Sequence, residues 1–339
     1  MDWLTPTLQV FLAVAGLALV VAALFLAWVI SRYLHILIRI FEEKPLFIVP
    51  RGDPIPGAEE VRFPTRDGLM LAGSYLRSTA PKRRGVVIFG PEFGSNRWSC
   101  NSYCAHLLTE GYDLFTFDFR GHGDSDKQPG HEPMMWVTNL EERDFGAAVE
   151  YLKTRPDADA RGIGAFGVSR GGGAALLVAA KSPYVRCVVT DGAFATRTTM
   201  IPYMRKWIDL YCSRWRMQRW FPDWAYALVA HVCLWFQSRR RHCKFPSLQR
   251  AVAKLAPRPL LVIHGANDTY IKPEIARRLY DVAAGPKEFW LVENAKHNQA
   301  IQVAGDEYRR RLSTFFHKHL DEAPAAAPDR QPLTAAAGG

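Results

Sequence analysis

The chain has 339 residues, 48% hydrophobic, 12% aromatic and 22% charged, a globular composition with enough length for one large packed domain plus additions. Lys and Arg outnumber Asp and Glu by 43 to 33, giving a formal net charge of +10. Six scattered cysteines (100, 104, 187, 212, 233 and 243) form neither a zinc-type CxxC pairing nor a dense disulfide framework, which favours a reducing compartment.

The first element is an uncharged apolar run from Leu8 to Ile30. At about 1.5 Å per residue it would reach roughly 34 Å, enough for a hydrocarbon layer of about 30 Å. Trp3, Trp28 and Tyr33 stand near its two ends, where amphipathic rings prefer the interface. A cleaved signal sequence would call for positive charge before the run, but only Asp2 is there. The expectation is a single-pass transmembrane anchor within residues 1–45. Arg32, Arg39, Lys44 and Arg51 follow it, so the charge bias puts the rest of the chain on the cytoplasmic side.

Next comes a hairpin, "EEVRFPTRDGLMLAGSYLRS", with its turn at Asp67-Gly68. Short β-rich apolar runs follow at 85–90, 112–118, 162–168, 186–191, 259–265 and 287–293, with the look of strands buried on both faces. Helical patterns fill the gaps at about 99–110, 140–154, 170–181, 273–284 and 298–319. The alternation implies a doubly wound, mostly parallel sheet within residues 46–320, with ligands at the carboxyl ends of its strands. From Asp321 on, "DEAPAAAPDRQPLTAAAGG" holds too little apolar surface to fold and is expected to be a disordered tail.

Several residues lie just past the predicted strand ends. "GIGAFGVSRGGGAAL" contains Gly167-Val168-Ser169-Arg170-Gly171, a G-x-S-x-G between a strand and a helix. In that context the serine sits on a sharp turn with its hydroxyl exposed, and the helix start offers N–H groups to a developing oxyanion. In a glycine-rich turn the same serine could simply be a helix cap. A serine nucleophile needs a base oriented by an acid. Asp268 follows the strand in "PLLVIHGANDTYIKP", and His297 follows the next one in "FWLVENAKHNQA". Asp191, past "RCVVTD", is the alternative acid.

With "FDFRGHGDSD" added to these pieces, the region from about Val61 to Leu320 resembles the α/β-hydrolase fold in its serine-nucleophile branch of esterases, lysophospholipases and monoacylglycerol-lipase-like enzymes. The resemblance implies an eight-stranded sheet, a helical lid at about 195–255, and catalysis by Ser169, Asp268 and His297. It implies an oxyanion hole from the backbone N–H groups of Phe93 and Arg170, and a structural role for Arg120, His122 and Asp124. One departure stands out: Pro91-Glu92 replaces the usual His-Gly of the oxyanion loop. A carboxylate there would repel an oxyanion, so Glu92 is expected to turn away and pair with Arg97 or Arg170.

The expected lid carries most of the chain's excess charge. From Arg197 to Arg250 eleven Lys and Arg face two acids, Asp209 and Asp223. Trp207, Tyr211 and Trp215 recur every four residues, and Trp220, Trp224, Trp235 and Phe236 add to them. One reading is an ordinary cap with a solvated basic face. A sharper one adds contact with anionic lipid, Trp at the interface and Arg near headgroups. Nucleic acid is not expected as a partner, despite "SRRRHCK" at 238–244. No motif implies a metal or an organic cofactor. The functional expectation is a membrane-anchored hydrolase of ester or thioester bonds in apolar acyl substrates. The alternatives are an acyltransferase with the same residues or a non-catalytic binding protein of the same fold.

Overall fold

The computed structural model describes residues 6–42, 51–211 and 222–321. The tail beyond Asp321, and the Trp215 and Trp220 positions, lie outside the described residues, as do the side chains of Trp207 and Tyr211.

The apolar N-terminal run becomes one continuous helix, α1 (Pro6–Glu42). Its first 27 residues, Pro6–Arg32, are long and apolar enough to cross a membrane, and the most apolar stretch among them is not buried on the protein. The second part of α1 packs instead. Ile38 and Phe41 are buried in an apolar cluster, with Ile30 and Leu34 partly buried against it.

Eight strands form one sheet: β1 (Glu59–Pro64), β2 (Met70–Leu76), β3 (Gly85–Gly90), β4 (Tyr112–Phe117), β5 (Ile163–Val168), β6 (Val185–Asp191), β7 (Leu260–Gly265) and β8 (Lys287–Val292). They lie in the order β1-β2-β4-β3-β5-β6-β7-β8. β1 and β2 pair antiparallel, β2 and β4 likewise, and the remaining pairs are parallel. Strands β3, β4, β5 and β7 are buried at every position, which is why their sequences are unbroken apolar runs rather than alternating ones.

Parallel neighbours need crossovers, and these carry the helices onto both faces. On one face α3 (Asn139–Thr154), α4 (Arg170–Ala179), α7 (Leu248–Ala253) and α8 (Pro273–Asp281) enclose a core that includes Phe145, Leu176, Val252 and Leu279. On the other, α2 (Cys100–Cys104) and α9 (Ala300–Phe316) enclose Phe89, Tyr103, Phe166, Leu312 and Phe316. Residues 99–110, expected as one helix, are instead a short α2 between two 3₁₀ turns. The backbone leaves helical geometry at Cys104 (φ −144°, ψ 7°). Cys100, Cys104 and Leu107 are all buried as a result.

A third layer lies over the site. α5 (Thr196–Tyr211) and α6 (Asp223–Arg240) occupy the expected lid between β6 and β7, while α7, at the end of that segment, packs on α4. α1 joins this layer at its C-terminal end. Phe41 stacks on Trp136 (centroids 4.8 Å apart, 5° between planes) and meets Phe245 edge-on. The Trp136 indole N–H donates to the Phe41 carbonyl at 2.8 Å. Glu42 accepts from Gln237 at 3.0 Å and pairs with Arg241 at 2.8 Å.

Candidate active site

Ser169 stands between β5 and α4 at φ 51°, ψ −116°, a conformation a side-chain-bearing residue adopts only under constraint. The glycines around it explain how the chain folds so sharply. A Cβ on Gly171 would stand 2.1 Å from the Gly90 carbonyl oxygen, and one on Gly167 would stand 2.5 Å from Gly171 backbone atoms. Strand and helix therefore approach closer than any side chain allows. The turn is tied to the next strand by the Ser169 N–H, which donates to the Asp191 carbonyl at 2.7 Å.

The loops after β7 and β8 bring the other two expected residues to this serine. Ser169 Oγ lies 3.0 Å from His297 Nε2. His297 Nδ1 lies 2.6 Å from Asp268 Oδ2. All three side chains are buried. Asp268 is fixed from behind, its Oδ1 accepting from the N–H groups of Tyr270 at 2.9 Å and Ile271 at 2.8 Å. Burial alone would raise the Asp268 carboxyl, but the charge and hydrogen bond of His297 outweigh it and hold the group below its ordinary range. Gly192 gives the imidazole room, since a Cβ there would lie 3.3 Å from His297 Cε1.

Asp191, the alternative acid, is engaged elsewhere. Its Oδ2 accepts from the Tyr308 hydroxyl at 2.9 Å. Burial pushes its carboxyl up to about 7, so near neutrality it is not fully ionised. A group that must carry a negative charge beside an imidazolium is better served by Asp268.

Arg170 follows the serine directly, and the Phe93 ring lies against the Arg170 guanidinium, its centre 5.0 Å away. Arg170 opens α4, whose first N–H groups have no acceptor within the helix. Phe93 is buried in the loop after β3. The Arg170 side chain is turned away and fully buried, donating to the Met134 carbonyl at 3.0 Å and lying over the Phe93 and Phe119 rings. It also reaches His122 Nε2 at 3.2 Å, while His122 Nδ1 faces the Arg120 carbonyl at 3.0 Å. Arg120 pairs with Asp67 and Asp144, and Asp124 with Arg97, so this loop is braced by its own ion pairs.

The expectation for Glu92 needs correction. It pairs with neither Arg97 nor Arg170. Arg97 is taken by Asp118, Asp124 and Glu60, and Arg170 by the partners just given. Glu92 is 1% exposed, and neither carboxyl oxygen makes a hydrogen bond of good geometry. Burial, with Asp191 nearby, pushes its carboxyl up to about 8. At neutral pH this favours the protonated form, which weakens the repulsion that a carboxylate would bring to the loop after β3.

A serine hydroxyl against a buried imidazole, itself held by an ionised carboxylate, beside a helix N-terminus at the carboxyl end of a mostly parallel sheet, defines a hydrolase-type site. The chain belongs to the alpha/beta hydrolase family, whose pattern it matches over residues 87–311. It is similar to the protein YfhR of Escherichia coli (strain K12), 26% identical over 273 residues that cover 78% of this chain and 82% of that protein. Among solved structures it resembles the Pyrococcus furiosus esterase Pf2001, with a TM-score of 0.58 and 24% identity, covering 82% of this chain and 99% of that one. It also resembles the Pseudomonas aeruginosa protein PA2218, with a TM-score of 0.54 and 21% identity, covering 82% of this chain and all of that one.

Besides the state of Glu92, two features of the site were not legible in the sequence. One is the Asp191–Tyr308 pair, which joins residues 117 positions apart. The other is the roof: Phe93, Phe194 and Ile271 from the site's own loops share one apolar cluster with Met134, Met135, Met200 and Met204, and with Ile38 and Phe41 of α1.

Proposed function

We propose that the protein is a membrane-anchored serine hydrolase that cleaves carboxylic ester or thioester bonds of apolar acyl substrates. The observation that carries this reading is the contact chain Ser169 Oγ–His297 Nε2–His297 Nδ1–Asp268 Oδ2, at 3.0 and 2.6 Å.

In this mechanism His297 Nε2 takes the Ser169 proton as Oγ attacks the acyl carbon. The carbonyl oxygen becomes an oxyanion and is received by the N–H groups of Phe93 and Arg170. The tetrahedral adduct collapses, the bond to the alcohol or thiol breaks, and His297 returns the proton to that leaving group. Water then repeats the sequence on the acyl-serine and releases the acid. Asp268 stays ionised throughout, holding the imidazole in one tautomer and stabilising the imidazolium.

Apolar acyl chains suit the Met- and Phe-rich roof. A membrane source for them suits α1, whose apolar span leads directly into that roof. The cytoplasmic orientation follows from Arg32 and Arg39 at the end of the span. A neutral Glu92 removes the main reason to favour a non-catalytic binding protein.

The test is hydrolysis of p-nitrophenyl esters of increasing acyl length by the detergent-purified full chain, with Ser169→Ala in parallel and fluorophosphonate labelling as a second readout. Activity and labelling are expected in the natural chain and absent in the variant. Equal silence from two well-folded proteins would refute an esterase. Retention of the natural chain in the membrane pellet after alkaline carbonate treatment tests the anchor separately.

A further inference from the structure

The last turn of α6 lies against the second part of α1 and leaves a groove between them. His35, Ile38, Arg39, Glu42, Phe236 and Arg240 line it. Ile38 is buried at its base, while His35, Arg39, Phe236 and Arg240 are exposed. Its one carboxylate is already matched: Glu42 is bound by Arg241 at 2.8 Å and Gln237 at 3.0 Å, with Arg240 at 3.6 Å. Arg39 makes no hydrogen bond or ion pair among the described residues. Three arginines thus face one carboxylate, leaving a net positive groove with an apolar floor.

Its height above the membrane is fixed by helix geometry. α1 is unbroken from Pro6 to Glu42, and its apolar span ends at Arg32. With Arg32 at the hydrocarbon edge, His35 stands roughly 4 Å and Arg39 roughly 10 Å further along the axis. Headgroups fill about 5–8 Å on each side of the hydrocarbon core. The mouth of the groove at His35 therefore lies in the headgroup layer, and Arg39 stands just outside it, within reach of a long guanidinium side chain and about a Debye length of the surface. On the neighbouring face of α6, Trp235 is 57% exposed with the Arg239 guanidinium 5.6 Å from its ring centre. Such amphipathic rings settle at this depth.

We propose that the groove between α1 and α6 binds the phosphate headgroup of an anionic phospholipid from the bilayer that α1 spans, with the Arg39 and Arg240 guanidinium groups on the phosphate. The proposal rests on the reading of α1 as a membrane anchor. Occupancy would bridge α1 to the cap and fix the roof of the active site relative to the bilayer.

The experiment reconstitutes the full chain in phosphatidylcholine nanodiscs with and without phosphatidylglycerol and counts retained lipids by native mass spectrometry. The expected result is preferential retention of one phosphatidylglycerol. Arg39→Ala and Arg240→Ala should each weaken the preference about fivefold, and the double variant about 30-fold. Arg309→Ala, on the distant helix α9, should leave it unchanged. Arg39→Gln guards against misfolding, since it keeps Glu42 and its partners intact. Equal retention of the two lipids, or a preference untouched by the arginine variants, would overturn the proposal. So would competition by inorganic phosphate or glycerol phosphate at concentrations similar to short-chain phosphatidylglycerol, because the groove would then be a soluble-anion site. Carbonate extraction reports on the anchor alone. A chain that is extracted yet still prefers short-chain phosphatidylglycerol in detergent would fail the anchor reading and keep the groove.

Discussion

Replacing Glu92 with Gln isolates the one residue of the oxyanion loop that departs from expectation. In the folded chain the Glu92 carboxyl is raised from 4.5 to about 8 by burial. The native state therefore holds a proton that the unfolded chain gives up between those values. Stability contributed this way is full below 4.5 and is lost progressively as pH rises to about 8. Between about pH 5 and about pH 8 the loss amounts to about 3 kcal/mol, at about 1.4 kcal/mol for each tenfold change. Glu92→Gln keeps the shape and removes the titration. Unfolding of both proteins in denaturant across this range is the assay. The natural chain should lose about 3 kcal/mol more than the variant as pH rises. Its esterase rate should also fall above about pH 8, where a carboxylate appears beside the proposed oxyanion N–H groups, and the variant's should not. Parallel stability curves would refute the reasoning, because they would mean Glu92 is ionised in the folded protein at neutral pH.

The two candidate acids should separate cleanly. Asp268→Asn is expected to cut kcat by about 10³- to 10⁴-fold, and Asp191→Asn to stay within about tenfold, because Asp191 is occupied by Tyr308; similar losses in both would mean the imidazole is held by neither alone. Gly171→Ala puts a Cβ 2.1 Å from the Gly90 carbonyl oxygen. It should destabilise by about 1–3 kcal/mol and slow fluorophosphonate labelling of Ser169, since β3 and the Phe93 loop must shift. Phe41→Ala removes a ring that is 1% exposed and stacked on Trp136. A loss of about 3–5 kcal/mol is expected by thermal melt, with hydrolysis of long acyl esters falling more than that of short ones; an unchanged chain-length profile would detach the end of α1 from the substrate pocket.

Much of this site could be read before any coordinate. Strands buried on both faces write themselves as unbroken apolar runs, so each expected strand from β3 to β8 was located within a residue. Ser169, Asp268 and His297 were legible because each stands just past a strand end, where a parallel sheet gathers its loops. Glu92 was not legible. Its expected partners depend on competition: Arg97 is claimed by three carboxylates, and Arg170 by the Met134 carbonyl, Glu141, His122 and two ring faces. The length of α1 was obscured for a different reason. "SRYLHILIRIFE" mixes arginines with apolar residues, which marks the end of an uncharged run but not the end of a helix.

That continuation of α1 gives the architecture its functional sense. A flexible linker after the proposed span would leave the domain free to turn over a bilayer. Instead the helix runs on for ten residues past Arg32 and delivers Phe41 into the cluster that holds Phe93, the residue proposed to give one oxyanion N–H. The Phe41 ring, the Trp136 indole and the Glu42–Arg241 pair tie the helix to the loop after β4 and to the cap at three points. Interiors packed at this density pass displacement on rather than absorb it. Under the proposed anchoring, the depth and tilt of α1 in lipid would set where this cluster sits, and a substrate moving up from the bilayer along α1 would meet Ile38 and Phe41 on the way to Ser169.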